Sequence, residues 1–175
     1  MRVLAIGDLV GENGVKKLKE TLPKIREQEK IDFVIVNAEN SAGGMGITTK
    51  IFDDAVVTFT ATDDSGKLKE MKVDAITMGN HTWGKKDIFS FADDPKLLRP
   101  ANYAPNVPGH GYGIFDCKGK KICVVNLIGR TDMNVLSENP FLKMNDVLNA
   151  VKGKADIIIL DFHAEATAEK IAMGY

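Results

Sequence analysis

Short apolar, β-branched runs alternate along the chain with longer amphipathic stretches. "RVLAI" leads into "GVKKLKETLPKIREQEK" and "DFVIV" into a helix opening at "ITTKIF". "VDAITM" and "ADIIIL" follow, the last just before the amphipathic "AEATAEKIAM". Strand-length apolar runs separated by helical periodicity predict βαβ units and a largely parallel sheet covered on both faces. "YGIFDCKGKKICVVNL" breaks the alternation. Its two strand-like runs flank Lys118-Gly119, which predicts an antiparallel hairpin joining or extending the sheet system. Pro23, inside the first helical stretch, predicts a kink or a late helix start. Between Asp53 and Lys72 the signals are mixed: "AVVTFTAT" has strand composition, "DDSG" marks a turn and "KLKEMK" reads as a short helix.

Composition narrows this α/β picture. A chain of 175 residues, 44% of them hydrophobic, builds one sizeable core, which predicts a single domain over residues 1–175. Lys and Arg total 23 against 24 Asp and Glu, a net charge of −1. That balance gives no broad attraction to nucleic acid or membrane, so an anionic ligand has to be gripped locally. The apolar run in "MRVLAIGD" is too short for a signal segment or a membrane span, which predicts a cytoplasmic protein. Cys117 and Cys123 flank the hairpin turn, and in that compartment they are expected as reduced thiols rather than a cross-strand disulfide.

The polar residues follow the apolar runs in a regular way. Asp8 comes after "VLAI", Glu39 and Asn40 after "VIV", Asn80 and His81 after "AITM", Asn126 after "CVV", and Asp161 and His163 after "IIIL". In an open α/β sheet the carboxyl ends of parallel strands share one edge, where ligand crevices form. Carboxylate, amide and imidazole groups meeting there are the oxygen and nitrogen donors that suit Mn, Fe or Zn, with no thiolate among them. Asn is the informative member, because its amide has little reason to end a buried strand without partners. Plainer roles exist for each residue. Asp8 suits a helix N-cap, and His163 a core histidine bonded to a carbonyl. Trp83 suits packing, and His110 in "PGHGYG" a solvated loop outside the site. Gly43, Gly44 and Gly46 suit a flexible loop or a backbone approach to a ligand. G-x-G-x-x-G, the P-loop, G-x-S-x-G and H-E-x-x-H are all absent from the sequence, which removes the simplest dinucleotide, P-loop, serine-hydrolase and zincin readings.

Taken in order, "GDLVG", "NAENSAGGMGIT", "TMGNHTW", "LLRPANY", "PGHGYGIF", "VVNLIGR" and "DFHAEATAEKIAMG" span nearly the whole chain. This series resembles the YmdB-type branch of the calcineurin-like metallophosphoesterases, whose characterised members act as 2′,3′-cyclic-nucleotide phosphodiesterases. The resemblance implies a layered α/β/β/α sandwich with mixed sheets and two divalent or trivalent metal ions, Fe or Mn, with Zn or Mg as alternatives. Asp8 would bind one metal with Asn40, Glu39 would bridge both, and Asn80 and His163 would bind the other. It also implies a family C-terminal part beyond Tyr175, with a Gly-Thr-His-Thr-His segment supplying two further histidines.

The implied substrate is a phosphate ester or cyclic nucleotide, with no membrane partner, no broad nucleic-acid surface and homo-oligomerisation left open. Paired metals about 3.5–4 Å apart lower the pKa of a bridging water, so that a hydroxide attacks phosphorus in line. The resemblance sets His81 beside the phosphate as the catalytic residue, where it would protonate the leaving 2′-oxygen or steady charge on the phosphoryl group. Arg99, before Pro100, reads as a structural loop anchor in preference to a phosphate clamp. Gly84 departs from the family's Asp after the Trp of "GNHTW". The alternative function is a catalytically impaired relative that binds nucleotide or a protein or RNA partner.

Overall fold

The computed structural model of the chain describes residues 1–53, 59–62, 66 and 68–175, with the backbone alone for 59–62 and 68–70. These residues form two compact units interleaved in sequence, residues 1–76 with 81–91 and residues 77–80 with 92–175. No helix among the described residues is long and apolar enough to cross a membrane.

In the first unit β1 (Val3–Ile6) and β2 (Phe33–Asn37) pair in parallel, from Val3 opposite Phe33 to Ile6 opposite Val36. Parallel neighbours need a crossover, and α1 (Gly11–Gln28) supplies it. Val15, Leu18 and Leu22 share one face of α1 and are its buried residues. The helix begins at Gly11 and continues through Pro23, so the late start anticipated there does not occur. A proline costs the helix one ladder bond, and burial of the apolar face offsets it. β2 lies between β1 and β5 (Ala75–Thr77) and is buried along its whole length, which is why "FVIV" shows no alternation.

The helix expected at "ITTKIF" is the single turn α2 (Thr49–Ile51), capped by the Thr48 hydroxyl, which accepts from the Ile51 N–H at 3.4 Å. The expected helix in "KLKEMK" is instead strand β4 (Leu68–Met71), antiparallel to β3 (Phe59–Thr62), with Phe59 opposite Met71 and Thr62 opposite Leu68. Pairing with a neighbouring strand overrides the modest helix propensity of Lys, Leu, Glu and Met. All of "AVVT" and the "DDS" of the turn lie outside the described residues.

The second unit contains the expected hairpin. β7 (Tyr112–Cys117) is antiparallel to β8 (Lys120–Ile128), and β8 runs parallel to β9 (Ile157–His163), with Ile128 opposite His163. Lys118 and Gly119 have φ of 50° and 75°, the paired positive values of a type I′ turn. Cys117 is opposite Lys120 and Cys123 opposite Ile114, so the two thiols are not cross-strand partners, and neither is in a disulfide. Cys123, Val125 and Leu127 pack against Val147 and Val151 of α3 (Pro140–Val151). The alternation read from the sequence does not include this helix. Its start is signalled by Asn139-Pro140, the Asn139 oxygen accepting from the N–H groups of Phe141 at 2.9 Å and Leu142 at 3.3 Å. β6 (Leu97–Leu98) and α4 (Thr167–Gly174) complete the strands and α-helices among the described residues.

Asn126 does not end a strand, as the sequence suggests, because β8 continues through Ile128. It is 0% exposed, and its amide nitrogen donates to the carbonyls of Met78 at 2.7 Å and Leu98 at 2.8 Å. Two strand-end carbonyls are thereby tied to one buried side chain. Asn126→Asp turns a carboxyl oxygen toward both carbonyls and removes both bonds. It should lower unfolding free energy by about 3 kcal/mol or more in urea titration. A loss below about 1 kcal/mol contradicts this role.

Candidate active site

After β1 the chain turns through Asp8 with φ of 49°, a left-handed conformation that Asp tolerates better than most residues. Val10, not Asp8, occupies the N-cap of α1, and it makes no side-chain cap bond. Asp8 is engaged elsewhere: its Oδ1 accepts from Asn40 Nδ2 at 2.7 Å. The backbone ties the same two loops together, with Leu9 N–H donating to Asn37 O and Gly11 N–H to Asn40 O, each at 2.9 Å.

The donor logic then runs in one direction. A carboxylate only accepts, so the Asn40 nitrogen faces Asp8 and its oxygen faces His81 Nδ1, 2.6 Å away. His81 Nδ1 is therefore the donor, and Nε2 is the ring nitrogen left for other work. The backbone N–H of His81 donates to Glu39 Oε2 at 2.9 Å, and Glu39 is only 1% exposed. Asp8, Glu39, Asn40 and His81 are thus brought together inside the first unit.

Two glycines make this approach feasible. Gly43, Gly44 and Gly46 all have positive φ, and at Gly46 the close neighbour is backbone of the same unit. A Cβ on Gly46 would stand 2.8 Å from Lys85 N and 3.1 Å from Gly84 C, and one on Gly84 would stand 3.1 Å from Gly46 N. Gly84 in place of the expected Asp also leaves room for Met45, whose Cγ would lie 2.7 Å from an added Cβ. The loop after β2 therefore lies against the loop that carries His81. Trp83 has the packing role expected of it, stacking on Phe89 at 5.4 Å.

Asn80 and His163 belong to the second unit. The segment before Asn80 is held by groups the sequence did not single out for that purpose. Asn126 holds the Met78 carbonyl, the Met78 N–H donates to Leu98 O at 3.0 Å, and the Tyr103 hydroxyl donates to Gly79 O at 2.8 Å. The signal for Asn126 was an amide within an apolar run. His163 ends β9 half-buried, and its carbonyl accepts from the Gly129 N–H at 2.9 Å. Asp161 lies inside β9 and accepts from the Thr77 hydroxyl.

Arg99 is the structural anchor expected. Its guanidinium donates to the carbonyls of Pro108 at 3.0 Å, Pro100 at 2.8 Å and Val107 at 3.3 Å. Burial lowers its pKa below the usual value, partly countered by Tyr103. His110 is exposed, as expected, with Nε2 at 3.2 Å from the Asp93 carbonyl.

Among the described residues, no three His, Cys, Asp or Glu side chains cluster as a metal site. The first unit's cluster instead combines carboxylates with the Asn40 amide, and both cysteines lie in the hairpin. Oxygen donors of this kind, with imidazole, fit borderline and hard ions.

The family model described as "YmdB-like protein" matches residues 4–175. The chain belongs to the YmdB-like family. It is 44% identical over 176 residues to a Bacillus subtilis protein named 2′,3′-cyclic-nucleotide 2′-phosphodiesterase, covering 100% of this chain and 61% of that protein. A solved hypothetical protein from Thermus thermophilus superposes with a TM-score of 0.82 at 33% identity, over 99% of this chain and 62% of that one. A structure described as a novel phosphatase from Mycoplasma pneumoniae gives 0.79 at 32% identity, over 98% of this chain and 58% of that one. The mixed α/β architecture is therefore that of the YmdB-like family, and the chain spans about three-fifths of the length of these relatives.

Gly46→Ala combines a left-handed backbone with a clash against Lys85 N. It should destabilise the chain by about 2–4 kcal/mol in urea titration. It should also move the His81 ring resonances. Unchanged resonances and a loss under about 1 kcal/mol contradict the close approach.

Proposed function

We propose that the chain carries the core of a metal-dependent phosphodiesterase acting on phosphate esters, with 2′,3′-cyclic nucleotides as substrates, in a cytoplasmic setting. The observation that carries this reading is the hydrogen-bonded series Asp8–Asn40–His81, with Glu39 on the His81 backbone. It sets a histidine of fixed donor direction beside a group of oxygen donors. The name of the Bacillus subtilis relative supports the substrate class, and cysteines outside any disulfide suit the compartment.

Asp8, Glu39 and Asn40 of the first unit would be donors to one ion, and Asn80 and His163 of the second unit donors to another. When bound, such ions neutralise charge on phosphoryl oxygens and make water acidic enough to serve as a nucleophile near neutral pH. Iron or manganese is the preferred identity for this donor set. Asn40 would serve two partners through one oxygen, since a carbonyl has two lone pairs and His81 Nδ1 takes one of them.

His81 acts at the leaving group. With His81 in its imidazolium form, water adds to phosphorus and releases one proton to solvent, the P–O2′ bond breaks and the 2′-oxygen takes the proton from Nε2, while Nδ1 keeps its proton on the Asn40 oxygen. The products are a 3′-phosphate and a free 2′-hydroxyl. Asn40 and Asp8 hold the ring so that Nε2 stays directed to this task.

His81→Ala should lower turnover of a 2′,3′-cyclic nucleotide by about 10²–10⁴-fold, assayed with added Mn²⁺. Hydrolysis of bis-p-nitrophenyl phosphate should fall far less, because p-nitrophenolate leaves without a proton. Metal content should stay unchanged. Equal losses on both substrates contradict proton donation, and loss of metal makes His81 a ligand.

A further inference from the structure

β8 ends at Ile128, opposite His163 at the carboxyl end of β9, and the chain continues as Gly129-Arg130-Thr131. This turn is fixed from both sides. Asn102, 0% exposed, grips Ile128 twice, its Nδ2 donating to the carbonyl at 2.7 Å and its Oδ1 accepting from the N–H at 2.9 Å. From α4, the Glu169 carboxylate accepts from the N–H of Arg130 at 3.0 and 3.2 Å and from the N–H of Thr131 at 3.2 Å. Gly129 is required for that approach, because a Cβ there would stand 2.5 Å from Glu169 Oε2 and 2.8 Å from Ala164 Cβ.

A buried amide and a carboxylate thus hold the backbone of one short turn. The side chain it carries is not consumed by the fold: among the described residues the Arg130 guanidinium is exposed and makes no hydrogen bond or ion pair. Three other cations of this unit are committed. Arg99 is spent on three carbonyls, Lys143 pairs with Glu138 at 2.7 Å and Lys120 with Asp156 at 3.5 Å. A chain of net charge −1 has no diffuse positive field to gather an anion, so a cation carried on the turn that follows β8 is a local grip.

We propose that Arg130 is a substrate-binding residue, its guanidinium fork holding the non-bridging phosphoryl oxygens of the ester, with Glu169 as the positioning residue that fixes its backbone. Arg suits two oxygens of one phosphoryl group because its donors lie in a rigid plane. The assignment rests on the phosphodiesterase reading. It adds to that reading a residue that recognises the phosphoryl group shared by all its esters rather than the base.

The test compares the chain with Arg130→Ala and Arg130→Lys, using 2′,3′-cyclic AMP as substrate and inorganic phosphate as competitive inhibitor. Arg130→Ala should raise KM and the phosphate inhibition constant together by about 10–100-fold, the worth of a charged hydrogen-bond pair. Its kcat should stay within about threefold, since a grip made equally in ground and transition states moves KM alone. Arg130→Lys should recover part of the loss, and added guanidinium ion should restore Arg130→Ala further. The melting temperature should not move, because the side chain has no partner among the described residues.

KM and phosphate inhibition unchanged within about twofold, or a fall in melting temperature that accompanies the KM change, overturns the assignment. If the wild-type chain hydrolyses no phosphodiester, the functional reading fails on its own. Calorimetry with inorganic phosphate then decides Arg130: binding weakened about 10-fold or more in Arg130→Ala upholds it, and absent or equal binding overturns it.

Discussion

The bond from Asn40 to Asp8 orders the chemistry of the first unit. A carboxylate has no proton to offer, so this contact at 2.7 Å decides which end of the amide faces His81. The amide oxygen then fixes Nδ1 as the donor at 2.6 Å. Without that orientation the imidazole could use either nitrogen, and the carboxylate on the left-handed turn at Asp8 would lose its amide partner. Local backbone strain at Asp8 is held by this contact and by the backbone bonds on either side of it.

Much of the fold was legible because buried parallel strands and amphipathic helices leave different periods in the sequence. β1, β2, β5 and β9 coincide with their apolar runs, and Lys118-Gly119 announced its turn through a glycine, which adopts positive φ without steric cost. β4 was not legible, because Lys, Leu, Glu and Met are good helix formers and only pairing with β3 makes them a strand. The full passage of α1 through Pro23 depended on burial of one face, a tertiary effect that local rules do not carry.

The polar residues divide in the same way. Asp8, Glu39, Asn40 and His81 could be singled out because each follows an apolar run that cannot use its polarity. Asn126 looked identical in sequence, yet it is a structural amide serving two carbonyls inside β8. Asn102 and Glu169 carried no such signal, since their partners are backbone groups distant in sequence. The close passage of Gly46 by Gly84 was likewise hidden, for a missing side chain does not say what occupies its place. Membership of the YmdB-like family and the architecture shared with its solved relatives agree with the part that was legible.

Whether Asp8 through Asn40 fixes the His81 tautomer is read by long-range ¹H–¹⁵N NMR of the His81 ring in its neutral form. The expected spectrum shows a proton on Nδ1 and a bare lone pair on Nε2, with that preference lost in Asn40→Ala. A proton on Nε2 in the wild-type chain, or a tautomer unchanged by Asn40→Ala, would contradict it.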